Sequence, residues 1–135
     1  MPKFMVFMPG NAESEAGALP PAEIITAMTA YNEQLAKAGV LLAAEGLKPT
    51  SAAAKVRFDD GERRTVVDGP FTEAKELVAG FWLLQASSLQ EALEWVKRAP
   101  LAGGATLEVR PVFETDELGP EFSAAVRKGE QRVGG

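Results

Sequence analysis

The sequence predicts an α+β sandwich, an antiparallel sheet with two helices packed on one of its faces. Three observations lead there. Short apolar runs of strand length recur along the chain, two segments carry apolar residues at helical spacing, and the two kinds alternate as strand, helix, strand, a hairpin, then strand, helix, strand. With 135 residues the chain has the length of one domain with one core.

Residues 4–8 (Phe4, Met5, Val6, Phe7, Met8) form the first apolar run, stopped by Pro9-Gly10. Residues 11–19 are small and polar and read as a loop. Pro20-Pro21 opens a helix, with Glu23 in its first turn complementing the dipole. Ile24, Met28, Tyr31 and Leu35 make its apolar stripe, and Gly39 stands where a left-handed cap belongs. Residues 40–44 read as a second strand, closed by Glu45-Gly46-Leu47-Lys48-Pro49. Val56 and Phe58 alternate with charges before Asp60-Gly61, and Thr65-Val66-Val67 follows, which is the pattern of a β-hairpin. Asp68-Gly69-Pro70-Phe71 breaks that strand, and residues 72–76 suffice for one helical turn. Residues 77–84 are almost uninterruptedly apolar. Ser88-Leu89-Gln90-Glu91 fits a capping box, and Leu89, Ala92, Leu93 and Val96 form the stripe of a second helix that ends before Pro100. Leu107, Val109 and Pro111 alternate with Thr106, Glu108, Arg110 and Val112 in a last strand. From Glu114 the pattern lapses, apart from a short helix around residues 122–127, so a domain over residues 1–113 with an extension over 114–135 is the expected division.

This order is that of a ferredoxin-like sandwich. A sheet covered on one side alternates cleanly between apolar and polar residues. The run over residues 77–84 does not, so its second face must also be covered. The expected cover is a second copy of the sheet, hence a homodimer.

Composition removes several functions. Lys and Arg number 14 against 19 Asp and Glu, a net charge of −5, and a pI near 4.8 speaks against nucleic acid as a partner. The chain has no cysteine and no histidine, which excludes thiolate sites, imidazole bases and every triad built on them. No motif calls for a cofactor or a metal: Asp59, Asp60 and Glu62 lack EF-hand spacing, and Gly103-Gly104 precedes a strand rather than a helix. The longest apolar stretch is under half a membrane span and the start of the chain lacks a signal-peptide pattern, so a cytoplasmic location without membrane contact is the expectation.

Val67-Asp68-Gly69-Pro70-Phe71-Thr72-Glu73-Ala74-Lys75-Glu76 resembles the DGPF-motif branch of the YCII-related family. Lys3-Phe4-Met5-Val6-Phe7, Gly46-Leu47-Lys48-Pro49, Gly80-Phe81-Trp82-Leu83 and Leu107-Glu108-Val109-Arg110-Pro111 match it in order, over residues 1–113. The resemblance implies a ferredoxin-like fold paired as a dimeric α/β barrel. It also implies a family mostly without an assigned activity, often encoded beside extracytoplasmic-function sigma factors. The His-Asp pair proposed for enzymes of the wider group has no counterpart in a chain without histidine.

Asp68 is the foremost candidate carboxylate, a possible acid, base or ligand anchor, with an Asx turn ahead of Gly69 and Pro70 as the structural alternative. Phe71 reads as a core plug, with a substrate-stacking ring as the functional alternative. Lys75 is placed to neutralise an anion or to pair with Asp68, or else to lie with Glu73 and Glu76 on a solvated turn. Glu108 and Arg110, two apart, share a strand face, there to bind a ligand or to form a salt bridge with each other or across a dimer. Phe81 and Trp82 lie on opposite faces, so one belongs to the core and the other faces the space between sheets. Asp68, Lys75, Trp82, Glu108 and Arg110 are therefore the candidate ligand-binding set. Three functions compete: a small-ligand-binding or regulatory homodimer; a cofactor-free enzyme acting on a small acidic or aromatic molecule through Asp68 with Lys75 or Arg110; and a protein-interaction partner in sigma-factor-linked regulation.

Overall fold

The computed structural model describes residues 1–73 and 77–133. In chain order these form β1 (Lys3–Pro9), α1 (Ala12–Glu15), α2 (Ala22–Lys37) and β2 (Leu41–Gly46). A 3-10 turn over Thr50–Ala52 leads into β3 (Ala54–Phe58) and β4 (Arg64–Asp68). β5 (Val78–Gln85), α3 (Leu89–Val96) and β6 (Glu108–Pro111) follow, then a second 3-10 turn and α4 (Pro120–Val133).

Four strands make one sheet in the order β2-β5-β1-β6, every neighbouring pair antiparallel. The sheet is open rather than closed into a barrel. β3 and β4 form a separate two-stranded sheet. Period-two geometry sends Phe4, Val6, Trp82 and Leu84 to one face of the larger sheet. There Val6, Trp82 and Leu84 bury against Tyr31 and Leu35 of α2, with Trp95 and Val96 of α3 packed on the same core, while Phe4 buries in a second cluster with Ala86 and Ala92. Leu107 and Val109 join from the β6 side. Tyr31 ties the two helices together, its hydroxyl donating to the Trp95 carbonyl at 2.8 Å. The predicted stripe of α2 is realised at its C-terminal half. Ile24, a turn or more nearer the start, remains exposed.

Several expectations are revised. Residues 11–19 are not all loop: Asn11 and Ser14 build a reciprocal capping box around the single turn of α1. The box predicted for α3 is half formed, because Ser88 Oγ accepts from the Glu91 amide at 3.1 Å while the Glu91 carboxylate takes the amide and hydroxyl of Ser87 instead. The helix expected around residues 122–127 extends over Pro120–Val133. The turn considered over residues 72–76 falls partly outside the described residues, and residues 71–73 are irregular.

The two faces of β5 differ in burial. Gly80, Trp82 and Leu84 are buried, while Ala79, Phe81, Leu83 and Gln85 are only partly so. One face is core, and the other is left half-covered within a single chain.

Candidate functional site

Strand register assembles the half-covered face row by row. Glu108, Phe7, Phe81 and Glu45 lie side by side across β6, β1, β5 and β2, and Arg110, Met5, Leu83 and Ala43 form the next row. The centre is thus apolar, with cross-strand Phe7–Phe81 and Met5–Leu83 pairs, and the charged residues stand at the edges. None of Met5, Phe7, Phe81 and Leu83 belongs to the core beneath the helices.

Glu108 and Arg110 do share a face, as their spacing predicts. Arg110 Nε lies 3.6 Å from Glu108 Oε2, with both side chains about two-thirds exposed (69% and 66%). A pair so exposed contributes at most about 1 kcal/mol and leaves the guanidinium open to other anions. A cavity of about 500 Å³ adjoins it, lined by Phe7, Pro9, Leu77, Val78, Thr106, Glu108 and Arg110.

Trp82 goes the other way. It is 5% exposed beneath the helices, its indole N–H donates to Asn32 Oδ1 at 2.8 Å, and the Tyr31 ring meets it edge-on at 5.9 Å. Of the adjacent pair, Phe81 and not Trp82 faces the open side, where it stands beside Phe7. Burial raises the Tyr31 hydroxyl pKa to about 12, the nearby Arg98 charge opposing that rise.

Asp68 ends β4, exposed, and the cavity beside Arg110 does not include it. Its carboxylate accepts no hydrogen bond among the described residues, so the Asx turn does not form. Lys75 lies outside the described residues. The four described candidates do not converge within one chain: Glu108 and Arg110 stand together, and Trp82 and Asp68 each stand apart.

The loop after Asp68 is instead held by residues that sequence reasoning passed over. Thr50 is buried, its amide and hydroxyl both donate to the Glu15 carboxylate (3.1 and 2.5 Å), and its Oγ1 accepts from the Phe71 amide at 2.9 Å. The Gly69–Pro70 peptide is cis, and the Gly69 amide donates to the Ala53 carbonyl at 2.8 Å. A Cβ on Gly69 would fall 1.7 Å from the Thr50 carbonyl oxygen, so only glycine fits. Phe71 is partly buried and carries the Lys55 ammonium 4.1 Å from its ring centre, a role closer to a surface clamp than to a core plug. The one local signal was Asn11-x-x-Ser14, which marks α1; nothing local links Glu15 to Thr50.

An open antiparallel sheet with α2 and α3 on one face, and a glycine-proline loop clamped onto the segment before the hairpin, define an α+β domain of a recognisable kind. The sequence profile of the YCII-related domain matches residues 3–116, and the chain belongs to that family. It is also 40% identical over 87 residues to an uncharacterized protein of Rhizobium meliloti (strain 1021), a match covering 63% of this chain and 69% of that protein. No described helix is long and apolar enough to cross a membrane, and no cluster of described acidic side chains has the geometry of a metal site.

Proposed function

We propose that the protein is a cytoplasmic, small-ligand-binding homodimer with a regulatory role. In this reading two ferredoxin-like chains pair sheet to sheet as a dimeric α/β barrel, and the ligand lies in the cleft between them. The half-covered face formed by Met5, Phe7, Phe81 and Leu83 carries the reading, because an apolar sheet face of this kind is stabilised by burial against a partner. The strand order β2-β5-β1-β6, antiparallel throughout, supports the ferredoxin-like assignment. The cavity of about 500 Å³ supports the ligand, being within the size range of small-molecule sites. Its chemistry selects an anion with an apolar or aromatic body: Arg110 offers the charge, Glu108 orients it, and Phe7 supplies the wall.

Native mass spectrometry of the purified protein tests this. The expected result is twice the 14.3 kDa chain mass with a retained small molecule, which Arg110→Ala no longer holds. Phe81→Asp, placing a charge in the centre of the pairing face, is expected to give monomer. A wild-type mass of one chain at micromolar concentration, with nothing retained, overturns the reading. A retained molecule that is chemically altered on incubation would turn it toward a cofactor-free enzyme.

A further inference from the structure

The outer face of the β3–β4 hairpin carries a second pattern, separate from the face of the large sheet. Register places Ala54 beside Asp68, Val56 beside Val66, and Phe58 beside Arg64, all on one side of the hairpin. The opposite side holds Lys55 beside Val67 and Arg57 beside Thr65; Lys55 sits over Phe71 there, and Val67 is less exposed (38%) than the apolar residues of the outer side. On the outer side Val56, Phe58 and Val66 are 54%, 72% and 64% exposed. An isolated two-stranded sheet is marginal in water, and this one leaves its apolar side uncovered.

We propose that this outer face is a contact between two copies of the chain, related by a two-fold axis that crosses both strands at the Val56–Val66 pair. The face is self-complementary about that axis. Such an axis reverses the strand direction, so each end of one hairpin face meets the opposite end of the other. Asp68 of one copy then faces Arg64 of its partner, twice over, and the small Ala54 faces the large Phe58, also twice. A two-fold axis running along the strands would set Asp68 over Ala54 and Arg64 over Phe58, pairing no charges. An isologous contact needs such a self-matching patch.

Both charged groups are available for the contact. Asp68 accepts no hydrogen bond among the described residues. Arg64 has no carboxylate partner among them: its Nη1 donates to the Gly61 and Arg63 carbonyls (3.1 and 2.8 Å) and the guanidinium lies 4.5 Å above the Phe58 ring. Those contacts fix the fork in place while leaving other N–H donors free. A face of two five-residue strands is smaller than a standard interface of roughly 1,600 Å², so the association is weak and depends on concentration and salt. Because the hairpin is a sheet of its own, the contact adds to any pairing of the large sheets rather than replacing it.

Charge exchange tests the proposal. Arg64→Asp gives a face with acidic residues at both ends, and Asp68→Arg gives one with basic residues at both ends. Each variant alone should lose the concentration-dependent rise in mass that the wild type displays in sedimentation at low ionic strength. An equimolar mixture of the two should regain it, because every cross-copy pair is again Asp against Arg. The double variant, carrying both substitutions in one chain, should self-associate like the wild type. Val56→Lys, which sets lysine against lysine at the axis without touching either end, should abolish the rise. A mixture no heavier than its components, or an undiminished rise with Val56→Lys, overturns the proposal; a hairpin face made for a different protein would give the first of these results. Matching far-ultraviolet circular dichroism of the two single variants makes regain on mixing a property of the contact.

Discussion

Thr50 shows how much one small side chain fixes. It joins three segments, α1 through Glu15, the turn before β3, and the loop at Phe71, with sequence separations of 35 and 21 residues. Thr50→Val keeps the shape but leaves the Glu15 carboxylate and the Phe71 amide short of a partner. The expected cost is about 1–3 kcal/mol by urea denaturation, with Thr50→Ser close to wild type. Asp68 behaves differently. The sequence suggested a carboxylate holding its own turn, whereas the turn is held by Thr50, by the Gly69 amide and by the absence of a Cβ on Gly69. Asp68→Asn and Asp68→Ala should therefore both stay within about 0.5 kcal/mol of wild type when melted in dilute solution. A clear loss with alanine alone would restore the Asx turn. The sequence could not reveal this arrangement, because a buried hydroxyl contacting residues 35 and 21 positions away leaves no periodic signal.

Elements with apolar periodicity or turn chemistry were legible; those defined by polar contacts were not. Tyr31 and Leu35 mark α2, Asp60-Gly61 marks the hairpin, with Gly61 at φ 71° as the turn requires, and the apolar run after residue 77 marks β5. α1 is a single turn made by its cap alone, too short to display a stripe. α4 was underestimated because its sequence is largely polar, which blurs the boundary of a helix. The direction of Phe81 and Trp82 followed from alternation, but which residue faced the helices depended on register with β1, and that is a tertiary fact. For α3 the cap is the feature to test. Ser88→Ala removes the acceptor for the Glu91 amide and should lower stability by about 1 kcal/mol, while Glu91 remains tied to Ser87. No change in the melting temperature would mean that Glu91 alone secures this end of the helix.

At the scale of the whole molecule, stability against pH has one clear handle. The Tyr31 hydroxyl, buried beneath the helices, titrates near 12 in the fold and near 10 when exposed. The unfolded chain therefore gives up its proton first. The stabilisation is fully present below pH 10 and is lost as pH rises from about 10 to about 12. Tyr31→Phe should flatten that part of the stability profile, at a cost of about 1 kcal/mol near neutrality for the unpaired Trp95 carbonyl. An unaltered alkaline slope in the variant would assign the effect to other groups. The ends of the large sheet carry a further consequence. β2 is an outer strand interrupted by an irregularity between Leu41 and Ala43, and β6, the other outer strand, is four residues long and finishes at Pro111. Unpaired backbone along such margins is poorly suited to recruit another strand, and proteins use bulges, prolines and brevity there to prevent ladder growth from chain to chain. The geometry thus suppresses ribbon-like propagation into fibrils, so that concentrated solutions should stay free of cross-β aggregates while discrete assemblies form through side-chain surfaces.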